Sequence, residues 1–233
     1  MNTTERTNTV LVLHGWGGSF ASTFGGTGLV EKLEAKGYSI LKIDLPGHGP
    51  DGGSHHGADY ADLASIIESQ LPASPLLAVG FSLGAKLVLE LSVRQPTRFQ
   101  RIVLGGLGDN IFAAEKMGNE VAAALEAGVD EKTHPAVAGL VEYSKASLSD
   151  PLSIAAVLRR PPNPVFTKEK LRAVACPVYV MNGWDDGVAR PENELLLALP
   201  TASLSIIPEI NHLNLTGNKF FIDSAVSFLT ETP

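Results

Sequence analysis

Short runs of β-branched and other apolar residues, each closed by Gly, Pro, Asn or Asp, recur along the chain and alternate with stretches of helical periodicity. Strands are predicted at 9–13, 38–43, 76–81, 101–104 and 178–181, with a weaker and partly alternating sixth at 202–207. The first five are short, largely apolar runs, the pattern of strands buried on both faces. Helices are predicted at 29–36, 60–71, 83–94, 192–199 and 219–229. Strand and helix in alternation imply parallel pairing through right-handed crossovers, hence an α/β fold with a doubly wound, mainly parallel six-stranded sheet. In such a sheet the ligand crevice lies beyond the carboxyl ends of the strands, so chemistry is expected in the residues just after each strand.

One stretch breaks the alternation. Residues 109–170 hold helical patches at 120–127, 136–148 and 152–159 and no convincing strand. A simple crossover needs about a dozen residues, so this length predicts a short helical lid inserted over the crevice. Arg160-Pro161-Pro162-Asn163-Pro164 reads as the stiff turn that closes it. The whole of 1–233, with this insertion, reads as one domain.

Composition narrows the function classes. With 44% apolar and 18% charged residues the chain has ample core material. A net charge of −7 with no Lys/Arg cluster argues against nucleic acid as a partner. Cys176 is the single cysteine, which forms no internal disulfide and fits a reducing, cytoplasmic setting. Residues 1–8 are polar and lack the pattern of a signal peptide, and no apolar run nears the roughly 20 residues of a membrane span, so no membrane partner is expected.

Gly80-Phe81-Ser82-Leu83-Gly84 matches G-x-S-x-G and lies between a predicted strand and a predicted helix, the context in which that pattern exposes a nucleophile on a sharp turn. Ser82 is therefore the candidate nucleophile. His14-Gly15-Trp16-Gly17-Gly18 follows the first strand, where the backbone N–H of Trp16, with that of Leu83, could bind an oxyanion. His14 itself reads as structural, and Asp44, ahead of Leu45-Pro46-Gly47-His48-Gly49, reads as a brace in a tight turn. Candidate acids follow two strands: Asp185 or Asp186 after the fifth, and Asp109 after the fourth. His212 lies beyond the sixth strand, and the order Ser82, Asp186, His212 is the order that G-x-S-x-G hydrolases of this architecture use. The adjacent His55 and His56 lack a third spaced ligand and read as a loop rather than a metal site.

Taken together, these motifs, with Gly183-Trp184-Asp185-Asp186 and Asn211-His212, resemble the α/β-hydrolase superfamily across nearly the whole chain. The resemblance implies Asp186 as the acid, three residues beyond Gly183, and supports Trp16 as an oxyanion donor. A serine at 82 sets the chain apart from relatives that dehalogenate or open epoxides with an aspartate there. Too few residues precede the first strand for the amino-terminal hairpin of fuller members, so the chain is similar to minimal, six-stranded carboxylesterase-like ones. Leu213-Asn214-Leu215 after His212 is less typical of the family. The implied reaction is hydrolysis of a small or medium carboxylic ester through an acyl-enzyme, requiring neither metal nor cofactor. Thioester cleavage and C–C bond hydrolysis use the same groups, and a small-molecule receptor on the same scaffold is a reading of another class.

Overall fold

The computed structural model describes residues 7–113, 117–161, 166–189 and 194–231. Six strands, β1 (Thr9–Leu13), β2 (Ser39–Ile43), β3 (Leu76–Phe81), β4 (Phe99–Gly105), β5 (Val178–Gly183) and β6 (Ala202–Ile207), form one sheet in the order β2-β1-β3-β4-β5-β6. Every pairing is parallel. The order reverses between β1 and β3, which opens a crevice there at the carboxyl edge.

The unbroken apolar runs have a direct structural cause. Leu11, Leu13, Ala78, Ile102 and Leu104 feed the core on one face of the sheet, while Val10, Val12, Leu77, Val79 and Val103 feed the core on the other. All six residues of β3 are buried. β6, at the edge, is mostly half-exposed, which accounts for its weaker and partly alternating signal.

Helices α1 (Phe20–Phe24), α2 (Leu29–Glu34), α3 (Leu63–Glu68) and α4 (Leu83–Arg94) link the first four strands. The helix predicted at 60–71 begins later, because 57–60 is a 3-10 turn and the Asp62 side chain accepts the Ser65 N–H and caps α3. Between β4 and β5 come α5 (Gly118–Ala127), α6 (Pro135–Lys145) and α7 (Pro151–Leu158), which fall on the three predicted helical patches, and then α8 (Lys168–Leu171). α6 and α7 each start with proline in the first turn, behind the His134 and Asp150 caps. α9 (Glu194–Ala198) and α10 (Lys219–Thr230) complete the chain. Of the expected stiff turn at 160–164, only Arg160 and Pro161 are described, and residues 1–6 and the start of the helix expected at 192 also lie outside the described residues. Among the described residues no helix is long and apolar enough to cross a membrane.

Candidate active site

Ser82 follows β3 directly and is the N-cap of α4. Its backbone has φ 51° and ψ −113°, in the left-handed half of conformational space that non-glycine residues avoid. Such a conformation costs about 1–3 kcal/mol and persists where the surroundings over-determine it. Here the Ser82 N–H donates to the Gly105 carbonyl at 2.8 Å. The flanking glycines permit the turn: a β-carbon on Gly80 would stand 2.6 Å from Ala85 Cα, and one on Gly84 2.4 Å from the Leu13 carbonyl oxygen. The second contact draws the start of α4 against the end of β1, so the strained serine and the 14–18 loop meet.

His212 completes the first contact of a chain of polar groups. Its Nε2 is 3.0 Å from Ser82 Oγ and its Nδ1 is 2.7 Å from Asp186 Oδ2. With Nδ1–H donating to the carboxylate, Nε2 offers its lone pair to the serine hydroxyl. The imidazole is nearly buried, tilted against the Phe81 ring at 4.9 Å between centroids. Gly106, at φ +64°, lies beneath it.

Asp186 is the aspartate that reaches this histidine. It is buried, and its second oxygen, Oδ1, accepts the Val188 N–H at 2.8 Å and the Ala189 N–H at 2.7 Å, leaving Oδ2 for the imidazole. Burial alone would raise its carboxyl; the hydrogen bond and charge of His212, with the two backbone donors, outweigh that and hold it below the usual carboxylate range. Asp185 is exposed, and the Asp109 carboxylate is engaged elsewhere, accepting the N–H groups of Glu194 and Leu195 at the start of α9. The loop bearing His212 is laced to the turn bearing Asp186: Trp184 N–H donates to Ile207 O and Asp185 N–H to Ile210 O.

Trp16 and Leu83 line the same cavity as Ser82. A β-carbon on Gly15 would be 3.1 Å from Ser82 Cβ, which sets the 15–16 peptide against the serine. Leu83 is the first residue of α4, where backbone N–H groups lack helical acceptors and the helix dipole is positive.

Two further histidines brace this loop. His14 is buried, donating from Nδ1 to the Gly15 carbonyl at 2.7 Å and accepting the Leu45 N–H at Nε2 at 2.9 Å. His48 repeats the pattern, with Nδ1 at 3.1 Å from the Pro46 carbonyl and Nε2 accepting the Gly17 N–H at 3.0 Å. Burial pushes the His48 imidazole down to about 3, and neighbouring His14 adds to that effect. Asp44 accepts the Phe20 N–H, consistent with a bracing part. His55 pairs with Asp150 at the start of α7. Among the described residues no group of three or more His, Cys, Asp or Glu side chains could hold a metal ion.

Sequence reasoning passed over Gly106 and His48. Gly105-Gly106 after an apolar run, and the position of His48 between Gly47 and Gly49, were the available signals.

The polar chain opens on a cavity of about 410 Å³. Ser82, His212, Trp16 and Leu83 line one side; Val121, Leu140, Tyr143 and Leu158 from the helices between β4 and β5 line the other. A mostly apolar cleft of this size with a few convergent polar groups suits a small organic ligand.

Residues 10–219 match the sequence model of the alpha/beta hydrolase family. A stretch of 101 residues, 41% of this chain, is 30% identical to a pimeloyl-(acyl-carrier protein) methyl ester esterase of Nitrosospira multiformis, and the match spans 36% of that protein, about a third of its length. The fold is shared with the carboxylesterase CesB from Bacillus subtilis, at a TM-score of 0.68 and 18% identity over 98% of this chain and 86% of that one. It is shared equally with MenH from S. aureus, at a TM-score of 0.71 and 18% identity over 96% and 94% of the two chains.

Proposed function

The chain belongs to the alpha/beta hydrolase family, and from that premise we propose that it is a serine hydrolase that cleaves small to medium carboxylic esters through an acyl-enzyme. The observation that carries this reading is the hydrogen-bonded series Ser82–His212–Asp186, with steps of 3.0 and 2.7 Å, opening on a largely apolar cavity.

His212 Nε2 takes the Ser82 hydroxyl proton as the oxygen attacks the ester carbonyl. Asp186 holds the imidazole in the tautomer that leaves Nε2 free to accept, and stabilises the imidazolium that forms. The Trp16 and Leu83 N–H groups receive the oxyanion; a single donor of this kind contributes roughly 3 kcal/mol to the transition state. His212 then returns its proton to the departing alkoxide. Water, deprotonated by His212, attacks the acyl-serine, and His212 gives that proton to Ser82 Oγ as the acyl C–O bond breaks and the carboxylic acid leaves.

Helices α5, α6 and α7 act as the cover of the cavity within a single domain, excluding water from the acyl-enzyme and limiting acyl length. A volume of about 410 Å³ favours short and medium acyl groups over long-chain lipids. The buried thiol of Cys176, whose pKa is pushed up to about 11 by burial, takes no part in the chemistry and supports a cytoplasmic location. The methyl ester named for the similar Nitrosospira multiformis esterase supports this reading in its alcohol part, methanol being the smallest leaving alcohol.

The test is steady-state release of p-nitrophenol from acetate, butyrate and octanoate esters by the wild type and by Ser82→Ala. Turnover that falls with chain length and vanishes in the variant supports the reading. Turnover that survives in a clean Ser82→Ala preparation overturns it, and silence from intact, folded protein transfers the same groups to a thioester, a C–C bond or a bound ligand.

A further inference from the structure

The loop after β1 has glycine at 15, 17 and 18, so Trp16 is the one residue between His14 and Ser19 with a side chain to hold it. Its indole Nε1–H donates to the Ile154 carbonyl of α7 at 3.0 Å, across 138 positions of sequence. The ring packs both against the main core and against the small apolar cluster of Val121, Ala124 and Val137 from α5 and α6. Its two glycine neighbours meet the same layer. A β-carbon on Gly17 would stand 3.2 Å from Ser144 Cβ, and one on Gly18 3.0 Å from the Tyr143 hydroxyl, both residues of α6. Residues 16–18 therefore rest on the helices that cover the cavity, as well as on the sheet that carries Ser82.

An oxyanion donor acts only within a narrow range of distance to the developing charge, and displacement by about 1 Å can cost on the order of 100-fold in rate. A glycine-rich loop does not hold such a position by itself, since each glycine adds backbone freedom. On one side the loop is tied by His48, which accepts the Gly17 N–H. On the other, the tie is the indole.

We infer that Trp16 is a positioning residue: its indole bond to Ile154 transmits the seating of α7 to the oxyanion loop, so the hole reaches its working geometry when the helices are closed over the cavity. The inference rests on the serine-hydrolase reading above. It assigns one residue two separate tasks, the backbone N–H holding the oxyanion and the side chain fixing where that N–H stands. Esters too bulky to let the cover close would bind and yet react slowly, so specificity would be expressed in kcat as much as in KM.

The test compares Trp16→Phe, which keeps an aromatic ring and lacks the N–H, with Asp150→Ala, which frays α7 from outside the cavity by removing the cap on the Leu152 and Ser153 N–H groups. For p-nitrophenyl butyrate, Trp16→Phe is expected to lower kcat about 10- to 100-fold with KM within threefold. Affinity for a trifluoromethyl ketone, which forms a tetrahedral oxyanion on the serine, should fall in parallel with kcat. Asp150→Ala should lower kcat several-fold in the same manner. The double variant should be little worse than Trp16→Phe alone, because both act through one link. A merely structural or wall-forming indole would instead shift KM and chain-length preference, leave ketone affinity tracking KM, and give additive losses; any of these overturns the inference. If Trp16→Phe does not fold, the ketone affinity and kcat of Asp150→Ala decide: unchanged values overturn it. A wild type that turns over no ester and takes no covalent label at Ser82 overturns the hydrolase reading as well, whereas ordinary turnover with additive losses overturns this inference alone.

Discussion

Gly106 lies so close beneath the His212 imidazole that a β-carbon on it would come within 2.8 Å of Cε1 and 3.2 Å of Nδ1. Its φ of +64° would strain any other residue as well. Gly106→Ala should therefore push the ring away from Ser82 while leaving the sheet intact. Activity should fall tenfold or more, and stability by about 1–3 kcal/mol. Ester turnover and a urea melt on the same preparation check both numbers.

The strain at Ser82 leads to an opposite pairing of effects. Glycine accepts φ near 51° without penalty, so Ser82→Gly should abolish turnover and yet stabilise the fold by about 1 kcal/mol, or roughly 2–4 °C in Tm for a chain of this size. Ser82→Ala removes the hydroxyl and keeps the strained backbone, so its Tm should stay near that of the wild type. Calorimetry of the two variants separates backbone strain from loss of the hydroxyl.

The three candidate acids that follow strands should respond differently. Asp186→Asn keeps the shape and loses the charge that fixes the imidazole, with an expected fall of about 10⁴ in kcat and little change in KM. Asp185→Asn, on an exposed side chain, should leave kcat within threefold. Asp109→Ala should cost about 1 kcal/mol of stability through the start of α9 and leave kcat nearly unchanged.

The placement of these acids shows where sequence was informative. Strands buried on both faces leave unbroken apolar runs, so β1 and β3 were found with their observed limits and β4 and β5 within a few residues; the edge strands β2 and β6, less buried, were read from runs bounded by turn residues. α1 spans five residues and carries too little periodicity to be seen. G-x-S-x-G was legible because both glycines are required by close backbone contacts, Gly80 with Ala85 at the start of α4 and Gly84 with Leu13 at the end of β1. The choice of Asp186 over Asp185 rests on the family resemblance and not on the residues themselves, because it depends on which carboxylate points inward, and adjacent residues differ there by burial alone. Gly106 escaped notice for a related reason: its partner, His212, is 106 positions distant in sequence and meets it only through the register of β4 with β5 and β5 with β6.

His48 makes stability sensitive to acid. Its folded-state pKa is about 3, below the ordinary 6.5, so between those values the unfolded chain binds the extra proton and the folded one does not. Stability is full above pH 6.5 and falls as pH drops through the window from about 6.5 to 3, with a slope approaching ~1.4 kcal/mol per pH unit from this group. Asp186, held below the usual carboxylate range, adds a loss at lower pH, as its unfolded form protonates near 3.8 and below. Urea melts from pH 7.5 to 4 should show the first decline, and His48→Gln should flatten it at the expense of stability at neutral pH.

The most direct test of the whole account is rapid quench of the enzyme with excess p-nitrophenyl butyrate, followed by intact and peptide mass measurement. The account predicts a burst of p-nitrophenol matched by a butyryl adduct on the peptide containing Ser82, lost on further incubation as butyrate is released and absent in Ser82→Ala. Sustained turnover with no adduct at Ser82, and undiminished in Ser82→Ala, would contradict it.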